Sequence, residues 1–369
     1  MRVLLSTALF YPAKLGGPAN TLYWLAKALV KKGGVNVSVV TTNRHIEQGK
    51  VIPDSWILVD GVRIVYCKSN SFRIFKELYN IWMEMQNSDI VMLCDMFQRQ
   101  VLPVAVLARL RGKKIIWSPR GELHAPALGG SKTKRMYITL VRRFFGNYAI
   151  FHATSDEERS LIYDQIGKSA KVVVIPNYIE IPLKQEREFQ PIPYFLFVGR
   201  VNRIKALDRL ILGLAQSKLF KQRGYILRIA GPNQDDYRQE LEQLIEDNGL
   251  NNKVEFVGNV YGRDKYQLFA NAHFSCLMSH SENFGNVVIE ALCQGTPVIA
   301  STGTPWQILN EKNAGFWIEN SPESISICID KILSLSETDY SDMRKNALEL
   351  ANTFDVSKNI GKWVEVLNN

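Results

Sequence analysis

Residues 274–300 read FSCLMSHSENFGNVVIEALCQGTPVIA. Phe274 to Met278 is an apolar run of strand length, and Pro297 to Ala300 is a second. Between them the spacing predicts a helix over Asn286 to Cys293, opened at Gly285 and stopped before Gly295. Both strands are almost continuously apolar rather than alternating, so each is covered on two faces. That is the pattern of a parallel sheet wrapped by helices.

Toward the N-terminus the alternation recurs. Tyr194 to Val198, Ile226 to Ala230 and Val254 to Val257 read as strands, with helices at Leu207 to Ala215 and Tyr237 to Asp247. The pattern then lapses, because Pro182, Pro191 and Pro193 stand among charged residues, and 184–193 reads as a linker. A second series precedes it. Val3 to Leu5 is a strand, Gly16-Gly17-Pro18 breaks the chain, and Leu22, Leu25, Ala26 and Leu29 recur at helical spacing up to Gly33-Gly34. Val37 to Val40, Asp89 to Leu93, Lys114 to Trp117 and Val172 to Ile175 follow as strands, with a helix over Val101 to Leu110. The fold class is therefore α/β, with two doubly wound Rossmann-like domains, 1–183 and 194–352. Residues 353–369 are expected as a helix returning to the first domain. At 369 residues the chain is too long for one ordinary core and comfortable for two.

Composition narrows the setting. A chain 46% hydrophobic and 22% charged is that of a globular enzyme, and no run approaches the length of a membrane span. Val3 to Phe10 meets Tyr11-Pro12 instead of a small-residue cleavage site, which favours a buried first strand over a signal peptide. Cys67, Cys94, Cys276, Cys293 and Cys328 are odd in number and contain no CxxC pair, arguing for a reducing, cytoplasmic compartment. The net charge of +9 is uneven: residues 1–185 hold twice as many lysines and arginines as acids, and the remainder is slightly acidic. The first half thus expects an anionic partner.

Open parallel sheets bind ligands beyond the carboxyl ends of their strands. Glu282 lies in such a loop, and Glu290 lies seven intervening residues on, within the helix that Gly285 opens. The free N–H groups of that helix start would favour a phosphate, and each acid could accept hydrogen bonds from vicinal hydroxyls. An acid near a helix start is also common for dipole reasons, which is the plain account of Glu282. Glu290 is harder to dismiss, because it interrupts an apolar helix face and needs a partner there. A second strand end carries Gly199-Arg200, then Lys205, two cations suited to a diphosphate. A solvated loop explains Arg203 adequately, but not Arg200 and Lys205 together. Gly16-Gly17 would let a backbone approach a phosphate, although a tight turn explains it equally well.

Taken together, the glycine pair, the Gly-Arg…Lys segment and the Glu-x7-Glu element resemble the large GT-B family of retaining glycosyltransferases numbered four in the sequence classification. Lesser matches are Ile175-Pro176-Asn177, Gly258-Asn259-Val260, Gly295-Thr296-Pro297 and Thr304-Pro305-Trp306. The last, with Ser118-Pro119-Arg120-Gly121, is similar to the bacterial branch that builds surface polysaccharides. The resemblance implies two lobes around a central cleft and transfer of a hexose from a nucleotide diphosphate sugar, with UDP-glucose the first expectation. It implies a glycan or lipid-linked saccharide acceptor, no cofactor and no metal. The sequence carries no Asp-x-Asp. By resemblance, Arg200 and Lys205 bind the diphosphate and Gly16-Gly17 closes over it. Backbone N–H groups of Asn283, Phe284, Gly285, Asn286 and Val287 hold sugar and phosphate, Glu282 the sugar hydroxyls, Glu290 the ribose, and the loop at Val260 the base. Many relatives carry a histidine where this chain has Arg120; that residue or His124 is the candidate for the acceptor or sugar site.

From Lys132 to Phe145, basic and apolar pairs alternate, as on a helix that docks on an anionic membrane or packs on its own sheet. Periodicity does not choose between them. Four rival functions are weaker. Gly16 to Asn20 lacks the GxGxxG of a nicotinamide enzyme, and Gly129 to Thr133 lacks the early glycine of a P-loop. A sugar-nucleotide epimerase would share the two-domain plan. A nucleic-acid binder would explain the basic half but not the absence of any recognised binding motif.

Overall fold

The computed structural model describes every residue except 14–16, 70–73 and 234–235, together with the side chain of Pro126. The chain forms two compact units, residues 1–180 with 355–369, and residues 181–354.

In the first unit the order is β1 (Arg2–Ser6), α1 (Gly17–Lys31), β2 (Asn36–Thr42), β3 (Trp56–Val59), β4 (Val62–Cys67), α2 (Ile74–Met85) and β5 (Ile90–Cys94). There follow α3 (Val101–Leu110), β6 (Lys114–Ser118), α4 (Ala125–Leu128), α5 (Lys132–Phe145), β7 (Ile150–Ala153), α6 (Asp156–Ile166) and β8 (Lys171–Val174). The sheet order is β3-β4-β2-β1-β5-β6-β7-β8, parallel except for the β3–β4 hairpin. β1 lies between β2 and β5, so the strand order reverses there, where a doubly wound sheet opens to a ligand. One side of the sheet shares a core with α2, α3, α5 and α6, through Ile81, Val104, Val141 and Ile162 among others.

The second unit contains β9 (Tyr194–Val198), α7 (Leu207–Gln216), α8 (Lys218–Gln222), β10 (Ile226–Ala230), α9 (Tyr237–Asp247), β11 (Val254–Gly258) and α10 (Gly262–Asn271). It continues with β12 (Phe274–Leu277), α11 (Asn286–Leu292), β13 (Val298–Ser301), α12 (Ile308–Glu311), β14 (Gly315–Ile318), α13 (Pro322–Leu333) and α14 (Glu337–Asn352). Its sheet, β11-β10-β9-β12-β13-β14, is parallel throughout. The strand–helix–strand reading of residues 274–300 corresponds to β12, α11 and β13.

The last helix, α15 (Val356–Asn368), belongs to the first unit. The Val356 N–H donates to Ile179 O at 2.9 Å, and Trp363 packs on the His152 ring at 4.6 Å. The stretch 184–193, read as a linker, is instead part of the second unit. Its backbone is strapped down by side chains: the Gln185 N–H donates to Gln294 Oε1 at 2.7 Å and the Glu188 N–H to Asn271 Oδ1 at 2.9 Å. Prolines prevent a regular strand there, and amide side chains from α10 and the end of α11 take over the backbone bonding.

Candidate functional site

β9 and β12 are adjacent, so the loops beyond their carboxyl ends meet. The His280 N–H donates to Ile204 O at 2.8 Å, which ties the Ser279–Gly285 loop to the Gly199–Ala206 loop. Across this junction the Lys205 ammonium pairs with Glu282 Oε2, and Ser279 Oγ donates to the same oxygen at 3.2 Å. The two side chains are only 14% and 20% exposed, so the pair is largely withdrawn from water. Glu282 is fixed by its backbone as well, its N–H donating to Gly303 O at 2.9 Å.

Two glycines make that loop possible. Gly285 has φ +81°, and a Cβ there would stand 2.7 Å from Leu277 Cδ2 and 3.2 Å from Glu282 Cγ. At Gly303 a Cβ would meet the carbonyl oxygens of His280 and Ser279 at 2.4 and 2.6 Å. The Phe284 side chain is buried against Trp306 and Phe354, with ring centroids at 5.2 and 6.1 Å. Trp306 Nε1–H donates to Phe284 O. Only the backbone around Phe284 is therefore offered to a ligand. Asn283, Asn286 and Val287 are half-buried at the start of α11.

Glu290 is buried within α11 and accepts from Lys265 Nζ at 2.7 Å. The partner that an acid on an apolar helix face requires is thus a lysine of α10, a residue the sequence reading did not single out. Both acids of the Glu-x7-Glu element carry a lysine. Arg200 differs, being exposed and making no side-chain hydrogen bond or ion pair among the described residues. The backbone on either side of it is anchored to the end of β10, Gly199 N–H to Ala230 O and Val201 N–H to Pro232 O, both at 2.9 Å. A free guanidinium is thereby projected from a fixed loop. Val260 is half-buried just beyond β11, after Gly258 at φ +81°.

Gly17 opens α1, and Gly16 lies outside the described residues. At the reversal point of the first sheet the sequence reading missed Asp95. This acid directly follows the apolar run of β5, which is the signal that could have found it. Asp95 and Arg120, at the ends of neighbouring strands β5 and β6, both hold positive φ, +75° and +52°. Two side chains other than glycine in that region mark strain held by the surroundings. Burial pushes the Asp95 carboxyl up to about 6, helped by the charge of Glu122 and opposed by Arg120 and by the N–H of Ala8. Glu122 and Glu158 are fasteners. The first accepts the N–H groups of Met96 and Phe97, and the second those of Gly121 and Thr154, both at 2.7 Å. His124 is half-buried and precedes α4, while the Arg120 Nε is buried with no hydrogen-bond partner among the described residues. The buried histidine of this unit is His152, held 2.5 Å from Ser118 Oγ and 2.8 Å from Ile175 O. Burial lowers its pKa to about 3, with Arg120 adding, so it stays neutral.

Among the described residues no group of three or more His, Cys, Asp or Glu could hold a metal ion, and no helix is long and apolar enough to cross a membrane. All five cysteines are buried.

Comparison with known proteins agrees with this architecture. Residues 16–178 match the model of a glycosyl transferase 4-like domain, and residues 180–350 match that of glycosyl transferases group 1. A glycosyltransferase of Methanocaldococcus jannaschii is 36% identical over 141 residues, which span 38% of this chain and 35% of that protein. The GDP-mannose:cellobiosyl-diphosphopolyprenol alpha-mannosyltransferase of Xanthomonas campestris is 23% identical over 99% of this chain and 96% of its own length. Among solved structures, Anabaena HepE in complex with UDP and glucose superposes with TM-score 0.76 at 19% identity, covering 100% of this chain and 99% of that one. The sucrose-phosphate synthase of Thermosynechococcus elongatus gives 0.79 at 18% identity, covering 100% and 98%. These structural likenesses establish the GT-B fold.

Proposed function

The chain belongs to the glycosyl transferases group 1 family, and from that premise we propose that it moves a hexose from a nucleoside diphosphate sugar to a lipid-linked saccharide, retaining the anomeric configuration. The observation that carries this reading is the junction beyond β9 and β12, where Lys205 pairs with Glu282 and the same loop carries Arg200, exposed and without a side-chain partner among the described residues. When the nucleoside diphosphate departs, negative charge builds on its phosphate oxygens. Arg200 receives that charge in this reading, and Lys205 is shared between the phosphate and Glu282. Glu282, buttressed by Ser279 and Gly303, holds hydroxyls of the donor sugar, and Glu290, fixed by its pairing with Lys265, holds the ribose. With two cations neutralising the leaving group, the reaction calls for no resident metal. Retention without a covalent nucleophile has the acceptor hydroxyl bond to the anomeric carbon from the face the diphosphate leaves, as the carbon–oxygen bond to the diphosphate breaks and the hydroxyl proton passes to the departing phosphate. Asp95 and Arg120 are assigned to the acceptor side.

The base of the donor has two supported readings. A UDP-hexose is the sequence expectation and agrees with the UDP held by the Anabaena protein. GDP-mannose is favoured by the Xanthomonas campestris enzyme, matched over nearly all of both chains. A thermal-shift series with UDP, GDP, ADP and their sugars separates them, because a ligand bound only by the folded state raises the melting point. No shift with any of them would remove the nucleotide site. Release of the nucleoside diphosphate only when acceptor is supplied, with the sugar recovered on the acceptor, would set a transferase apart from an epimerase.

A further inference from the structure

The basic and apolar doublets of α5 resolve in an unexpected way. Of each apolar pair, one member enters the core and the other faces out: Tyr137, Val141 and Phe145 are inward, whereas Met136, Leu140 and Phe144 are exposed. The exposed three fall at i, i+4 and i+8, one stripe along the helix. α5 thus has two apolar faces, and its own core uses only one.

The neighbouring helices of the layer do the same. On α2, Ile81 and Met85 are buried while Phe75, Tyr79, Trp82 and Met83 stand out at i, i+4, i+7 and i+8, Phe75 being 77% exposed. On α3, Val106 and Leu110 are outward, Leu110 being 78% exposed. Half of the exposed large apolar side chains among the described residues lie on these helices or directly after them. Cations bind the stripes together. Arg111 lies 3.3 Å over the Trp82 ring and donates to Trp82 O at 2.9 Å, and Arg109 lies over the rings of Phe145 and Tyr148.

The charge is one-sided. α3 and α5 contain no acid; on α2 Glu77 is buried, and Glu84 is engaged by Arg63 and Ser38. Lys132, Arg135, Arg142 and Arg143 make no ion pair among the described residues. The next helix of the layer, α6, opens Asp156-Glu157-Glu158, which ends the basic zone sharply. Apolar and aromatic stripes flanked by unpaired cations, with acids excluded, match an anionic lipid interface. The rings and aliphatic chains enter the acyl boundary while the cations reach headgroup phosphates.

We propose that the outer face of α2, α3 and α5 docks on an anionic membrane as one surface, rather than α5 acting alone. This rests on the lipid-linked acceptor of the preceding subsection, since docking would bring the first unit to the surface where such an acceptor lies. The test is co-sedimentation of the full chain with vesicles of phosphatidylcholine containing increasing phosphatidylglycerol. Binding should rise steeply with the anionic lipid and fall with salt. Replacing three cations, Arg135→Gln, Arg142→Gln and Arg143→Gln, should weaken it on the order of hundredfold. Tyr79→Ser with Trp82→Ser, on a different helix from those cations, should weaken it at least tenfold. All these side chains are outward, so the melting point and the nucleotide-induced thermal shift should stay at wild-type values; that shift also reports independently on the nucleotide reading. No binding at any phosphatidylglycerol content, or loss with the α5 variant and none with the α2 variant, would overturn the three-helix surface. A dimer in light scattering that Phe75→Ser and Phe144→Ser dissociate would also overturn it, assigning the face to a second copy of the chain.

Discussion

Asp95 gives the sharpest quantitative prediction. The residue is half-buried just beyond β5, and its carboxyl is pushed from 3.8 up to about 6 because desolvation, with the charge of Glu122, outweighs Arg120 and the Ala8 N–H. A folded-state pKa above the unfolded one means that folding favours the protonated acid. Its stabilising contribution is complete below about pH 4 and is lost as the pH rises through 6. Raising a carboxyl that far corresponds to about 3 kcal/mol between its two protonation states. Asparagine keeps the shape and an acceptor for the Ala8 N–H but does not ionise. The stability of Asp95→Asn relative to wild type should therefore climb by about 3 kcal/mol between pH 4 and pH 8. In calorimetry this corresponds to a relative rise of roughly 6 to 12 °C in the transition of the first unit. A difference that stays constant across that range, or that shrinks as pH rises, would refute the burial account.

Four further outcomes are expected. Glu77, buried in α2, has its carboxyl pushed up to about 7 by burial, so Glu77→Gln should stabilise above pH 7 and be nearly neutral at pH 4; denaturant melts at both values check this. Lys265→Met strands Glu290 and should cost about 2 kcal/mol, while adding Glu290→Met recovers most of it; a double-mutant cycle that comes out additive would contradict the pairing. Gly303→Ala forces a methyl onto two backbone carbonyls and should displace the Glu282 loop, lowering turnover far more than nucleotide affinity. Glu282→Ala should abolish transfer with nucleotide binding nearly intact, and undiminished turnover would take Glu282 out of the site.

The elements that the sequence made legible are those with long, continuous apolar runs or a full helical stripe. β9, β10 and α3 were read to their boundaries because Gly, Pro or charge stops them abruptly. β7 was not read, since Ile150–Ala153 is four residues long and includes His152, whose burial depends on Ser118 and Ile175 from elsewhere in the chain. The β3–β4 hairpin departs from the expected parallel sheet. Its Asp60-Gly61 turn, with φ +51° and +82°, is a strong local signal that an α/β pattern masks. In the site, Glu282, Glu290, Arg200 and Lys205 stood out because charges sit where apolar residues or glycines surround them. Lys265 did not, because nothing in α10 says that its ammonium reaches α11. The split of α5 into two apolar faces was equally hidden, since only neighbouring elements decide which of two adjacent side chains is covered.

The central claim is that Arg200 and Lys205 hold the diphosphate of the donor. Titration calorimetry of the wild type with the nucleoside diphosphate that gives the largest thermal shift, repeated on Arg200→Ala and Lys205→Ala, tests it without any acceptor. Each variant should bind at least tenfold more weakly, about 1.4 kcal/mol or more. Two variants that fold normally and bind as tightly as the wild type would contradict it.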